Sequence, residues 1–139
     1  MPKLTVLMGA PGSGKSTWAA QHPNVVTTDG QQGKASGQIL HEAYRQIHTL
    51  LAQGKDVVFD TTGANPNMRK AALGIAAKHG AQAQACVMDT PLKQCLDAQK
   101  DRTCPVPDAT VRRLHDQVGK QAAGLRAEGF HSVTTRRRK

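Results

Sequence analysis

Gly9-Ala10-Pro11-Gly12-Ser13-Gly14-Lys15-Ser16 sets two glycines, a lysine and a serine at the spacing G-x-x-x-x-G-K-[ST], a pattern that cradles phosphates. The glycines let the backbone wrap an anion with its N–H groups. Lys15 is placed to reach the outer phosphates, the Ser16 hydroxyl to ligate magnesium, and Thr17 follows on the nucleotide side. An ordinary glycine turn is the competing account, but it leaves the coincidence of four fixed positions unexplained. The expected ligand is a nucleoside triphosphate.

Phosphoryl transfer also needs a nucleophile aligned and relieved of its proton. Asp29 is the candidate base, able to accept a proton from a substrate hydroxyl. Its competing role is a turn acid, because Gly30 follows it. Asp60 ends an apolar run, where an acid can hold magnesium or a metal-bound water, and Thr61 and Thr62 could contact substrate or phosphate. Those three could also serve only as caps. Asp89-Thr90-Pro91 reads chiefly as a helix cap. Arg102, with Lys100 second, lies in a basic segment rich in breakers near 98–107 that fits a mobile lid over the transferring group, or else a solvated charge cluster. Arg69 could face a phosphate or point outward. The six histidines form no metal or triad spacing, and no serine or cysteine nucleophile is supported.

These residues need elements to position them. Strands are expected at residues 3–8, 24–28, 56–60, 83–89 and, weakly, 132–135. Helices are expected at residues 16–22, from 39 to Gly54, from Pro66 to Gly80, after Pro91, and over a long segment from Pro107 that places Val111, Leu114, Val118, Ala122 and Leu125 on one face. Such alternation indicates an α/β domain whose parallel sheet of about four or five strands carries helices on both faces. Ligands in such sheets sit beyond the carboxyl ends of the strands. Residues 9–16, Asp29, Asp60 and Asp89 all fall there, so four strand ends point to one crevice.

At 139 residues the chain supports one domain, residues 1–135, followed by a basic tail at 136–139. One Trp, one Tyr and two Phe argue against a base-stacking platform and leave the core to Ala, Val, Leu, Ile and Met. A net charge of +9 suggests a polyanionic partner, although Arg136-Arg137-Arg138-Lys139 alone supplies four of those charges. Cys86, Cys95 and Cys104 lack metal spacing and read as thiols of a reducing cytosol. No signal region or membrane span is evident, so a cytoplasmic location is expected. Oligomeric state is left open.

The run from Gly9 to Ala19 resembles the opening of the phage-type polynucleotide 5′-hydroxyl kinase family. Further resemblance lies in Asp60-Thr61-Thr62 followed by Pro66, Arg69 and Lys78-His79-Gly80-Ala81, and in the stretch from Pro91 through Cys95, Arg102, Val106-Pro107 and Val111. Together these span about residues 3–120. The resemblance implies the P-loop kinase fold and an ATP- and Mg2+-dependent transfer to a 5′-hydroxyl of DNA or RNA. It also implies Asp29 as general base and Arg102 on the ATP phosphates. On the acceptor side Gln32 stands where the family places an arginine and Gly30 replaces a second acid, while Ala98 replaces the first lid arginine. A related kinase for another hydroxyl, on a hydroxymethylated base of phage DNA or a small metabolite, therefore stays open, as does a nucleotide-binding module without transferase activity.

Overall fold

The computed structural model describes residues 2–27, 36–61, 65–102 and 105–136. Its strands are β1 (Lys3–Gly9), β2 (Val25–Thr27), β3 (Val57–Asp60), β4 (Gln82–Met88) and β5 (Ser132–Arg136). Its helices are α1 (Lys15–Ala19), α2 (Ser36–Ala52), α3 (Pro66–Lys78), α4 (Leu92–Gln99), α5 (Asp108–Ala122) and α6 (Leu125–Glu128). All five strands run parallel in the order β2-β3-β1-β4-β5. A parallel sheet has all its carboxyl ends at one rim, which is where the chain carries the glycine loop and Asp60.

The two faces are covered unequally. Leu4, Val6 and Met8 of β1, Val57 and Phe59 of β3, and Ala83, Ala85 and Val87 of β4 pack in one large core. Ala43, Ile47 and Leu51 of α2, Ala72, Ile75 and Ala76 of α3, and Val118 of α5 close over them. The alternate residues Leu7, Val58, Cys86 and Met88 turn to the other face and meet Ala19 of α1, flanked by Trp18 and Val25. This is the period-two alternation of a strand. Removal of that apolar area from water, at about 25 cal/mol per Å2, is the main drive for the fold.

Local chemistry sets the element ends. Asn65 caps α3 by accepting the Asn67 N–H at 2.9 Å, and Pro66 occupies the first turn, where its missing donor costs nothing. Gly80, at φ 65, takes the left-handed conformation that follows this helix. Two expected boundaries shift. The first helix ends at Ala19 rather than His22, and the His22 ring stacks on Trp18 at 3.9 Å. The last long helix stops at Ala122, and Leu125 opens the separate α6 after Gly124. β5 runs one residue further than expected, to Arg136, so the basic run begins inside the sheet.

Candidate functional site

The glycine loop joins β1 to α1 at the carboxyl rim, held by the Ser13 N–H donating to the Ala10 carbonyl at 3.1 Å. Its shape depends on missing side chains. A Cβ on Gly9 would come within 2.5 Å of Ser13 Oγ and 2.9 Å of Met88 Cβ. Gly12 lies at φ 83, and a Cβ there would come 2.5 Å from the Cys95 carbonyl of α4. Gly14 stands at φ 99, directly before α1. Two of these are left-handed conformations that only glycine adopts at low cost. Ala10 is buried among Cys95 and Val111, so the loop is seated on α4 and α5. Pro11 is half-buried at its turn.

Lys15 is buried, and its Nζ lies 3.6 Å from Asp60 Oδ1, with each side chain 8% exposed. The register accounts for this meeting. Asp60 stands beside Leu7 of β1 and Thr27 of β2, at the rim from which the loop departs. The buried ammonium is balanced by a carboxylate at a distance longer than a direct hydrogen bond. Ser13 Oγ is buried with no hydrogen-bond partner. An orphaned hydroxyl, a lysine at the end of a glycine-shaped turn and a loop that admits no Cβ at Gly9 or Gly12 together fit a phosphate group. For magnesium, Ser16 and Asp60 offer two side-chain oxygens, in keeping with an ion that retains waters and phosphate oxygens. No group of three or more His, Cys, Asp or Glu that could hold a metal forms among the described residues. Ser16 and Thr17 are exposed on the first turn of α1.

The other expected residues divide into four sets. Asp29, Gln32 and Thr62 lie outside the described residues, as does Cys104. Thr61 is buried beside β1, its N–H donating to the Leu7 carbonyl at 3.4 Å. Arg102 is exposed just beyond α4, and Lys100 makes an exposed ion pair with Asp97 at 3.2 Å. Arg69 is a correction. Neither outward-facing nor offered to a phosphate, it is 2% exposed and engages both carboxylate oxygens of Glu128 at 2.8 Å and the Gln121 side-chain oxygen at 2.7 Å. The planar guanidinium matches a carboxylate bidentately, so it ties α3 to α5 and α6.

Three residues near the loop take parts that the sequence reading did not assign them. Thr90 does not cap α4; its hydroxyl donates to the Ser13 carbonyl at 2.6 Å. His115 of α5, given no role, places Nε2 2.9 Å from the Thr90 carbonyl. Gln99 closes α4, accepting the Val106 N–H at 3.0 Å, while its buried Nε2 has no hydrogen-bond partner. The only sequence signal for Thr90 and Gln99 is their position, one just past a strand's carboxyl end and the other at the start of the expected lid.

Cys86 and Cys95 are buried thiols, and burial pushes the Cys86 thiol up from its ordinary value. Among the described residues no helix is long and apolar enough to cross a membrane.

Fold and loop together define a P-loop, kinase-like nucleotide-binding domain. The chain belongs to the AAA domain family AAA_33, whose model matches residues 4–121. No curated protein matches it in sequence. Among solved structures, Kti12 of Chaetomium thermophilum in complex with ADP-AlF3 is similar with a TM-score of 0.64 and 12% identity, over 96% of this chain and 88% of that one. A chain of the Pnkp1/Rnl/Hen1 complex is 22% identical with a TM-score of 0.58, over 76% of this chain and 41% of that one. Deoxyadenosine kinase from M. mycoides with bound dATP has a TM-score of 0.55 at 10% identity, over 95% of this chain and 90% of that one. At these identities the likeness establishes the fold.

Proposed function

We propose that this domain transfers the γ-phosphoryl group of ATP to a hydroxyl of a nucleic acid, most readily a polynucleotide 5′-hydroxyl. The observation that carries the reading is the Lys15–Asp60 pair, set 3.6 Å apart beside a turn that admits no Cβ at Gly9 or Gly12. Bound ATP supplies the phosphoryl group, and Mg2+ supplies charge neutralisation on its oxygens. Lys15 and the backbone N–H groups of Gly14, Lys15 and Ser16 hold the phosphates. Ser16 and Asp60 would hold the ion. Asp29 accepts the proton of the attacking hydroxyl as that oxygen forms its bond to phosphorus and the bond to ADP breaks. Arg102 moves from solvent to the phosphates as its segment closes.

The nucleic-acid acceptor is supported by a net charge of +9 and by the family resemblance of residues 9–19, 60–81 and 91–111. The direction of β5 adds to this. Arg136 pairs with Met88, which pairs with Gly9, so Arg136 stands at the same rim as the phosphate loop. Gln32 and Ala98, standing where the resemblance leads one to expect arginines, favour testing other hydroxyls alongside.

The test is a transfer assay with γ-labelled ATP against 5′-hydroxyl DNA, 5′-hydroxyl RNA, a hydroxymethyl-base duplex and a panel of small alcohols. Label on the oligonucleotide 5′ end is the expected result. Label on the modified duplex or a small alcohol alone redirects the substrate. ATP turnover indifferent to every acceptor overturns the transferase reading.

A further inference from the structure

We propose that Thr90 is a positioning residue of the phosphate cradle, its hydroxyl fixing the peptide between Ser13 and Gly14 and thereby the direction of the Gly14 N–H. The proposal rests on the nucleotide reading of residues 9–16 and is independent of the acceptor.

Thr90 follows β4 and is fully buried, and its Oγ1 donates to the Ser13 carbonyl oxygen at 2.6 Å, a short O–H···O bond. A trans peptide is planar, so its N–H points opposite to the preceding carbonyl. Drawing the Ser13 carbonyl toward Thr90 therefore turns the Gly14 N–H away from Thr90, the side on which the proposal sets the phosphate. This constraint matters because of the residue that follows. Gly14 sits at φ 99 and has no Cβ to resist a rotation of the whole peptide. The glycine that makes the turn possible also leaves this N–H free to swing outward, and the Thr90 hydroxyl removes that freedom.

Thr90 is itself held from two sides. Its carbonyl accepts from Cys95 Sγ of α4 at 3.7 Å and lies 2.9 Å from His115 Nε2 of α5. A carbonyl can only accept, so the ring proton sits on Nε2 in this bond. The helices on both sides of the expected lid are thus connected to the phosphate loop through one residue. A Thr90 that only filled core volume would need no hydroxyl, and a valine would serve as well.

The experiment compares the full chain with Thr90→Val, which keeps the shape and removes the hydroxyl, and with Thr90→Ser, which keeps the hydroxyl. Three quantities are read for each: the Mg-ATP dissociation constant by calorimetry, the shift of the Gly14 amide resonance on adding Mg-ATP, and Tm. Thr90→Val is expected to weaken ATP about tenfold, the scale of a hydrogen bond to a charged group, and to diminish the Gly14 shift, while Thr90→Ser restores both. Wild-type ATP affinity and an undiminished Gly14 shift in Thr90→Val overturn the proposal, even if Tm falls. Failure of Thr90→Ser to restore affinity when its Tm matches wild type also overturns it. Absence of ATP binding by the wild-type chain removes the nucleotide reading, and this proposal with it; equal binding by wild type and Thr90→Val removes the role of Thr90 alone.

Discussion

Lys15 Nζ lies 3.6 Å from Asp60 Oδ1 at the carboxyl rim, two buried charges brought together by the β1–β3 register. Removing one member of a buried pair weakens the charge balance of the other, at a cost of up to about 3–5 kcal/mol. Asp60→Asn is therefore expected to lower Tm of the nucleotide-free protein. Phosphate then supplies the missing negative charge, so ATP without Mg2+ raises Tm more in Asp60→Asn than in wild type. Calorimetric melts with and without ATP check this, and an equal rise in both proteins would show that Lys15 does not exchange the carboxylate for phosphate.

Gly12→Ala addresses the loop from the other side. The new methyl is required to sit at φ 83 and would come 2.5 Å from the Cys95 carbonyl, a backbone atom that cannot swing aside. The loop must shift off α4. We expect ATP affinity to fall at least tenfold, the equivalent of about 1.4 kcal/mol, while Gly74→Ala, on the open side of α3, leaves it unchanged. Equal affinities for the two variants would contradict the assignment of the loop.

A third prediction concerns pH. His48 Nδ1 lies 2.9 Å from His79 Nε2, joining α2 to the end of α3. Burial first, then the neighbouring His79 and Lys78, hold the His48 pKa below its ordinary value. The unfolded chain takes up its proton near pH 6.5, before the folded chain does. Stability is thus full above that pH and is lost as pH falls from it through the lower folded value. Tm measured from pH 7.5 to 5.5 should drop, and His48→Gln should drop less. A parallel decline in both would assign the acid sensitivity elsewhere.

The sequence made the sheet legible because a buried parallel strand leaves an apolar run and the glycine loop marks the end of the first one. Asp60 was readable for the same reason, as the acid that closes such a run. Arg69 was not, because a cation on a helix carries no mark of whether a distant carboxylate, here Glu128, will meet it. Thr90 and His115 escaped on similar grounds. Their partners are backbone carbonyls 77 and 25 residues away, and backbone atoms leave no signature in the pattern of side chains. The end of α5 was misplaced because Leu125 keeps the helical spacing of Val118 and Ala122 across the break at Gly124.

The proposed transfer requires a base, the role assigned to the carboxylate at position 29. The direct measurement is single-turnover phosphoryl transfer from saturating γ-labelled ATP to a 5′-hydroxyl oligonucleotide, wild type against Asp29→Asn, with ATP binding measured on both. Loss of a general base predicts transfer slower by about 10²–10⁴-fold with ATP affinity unchanged. Transfer by Asp29→Asn at the wild-type rate, or transfer to no oligonucleotide by the wild-type protein, would contradict it.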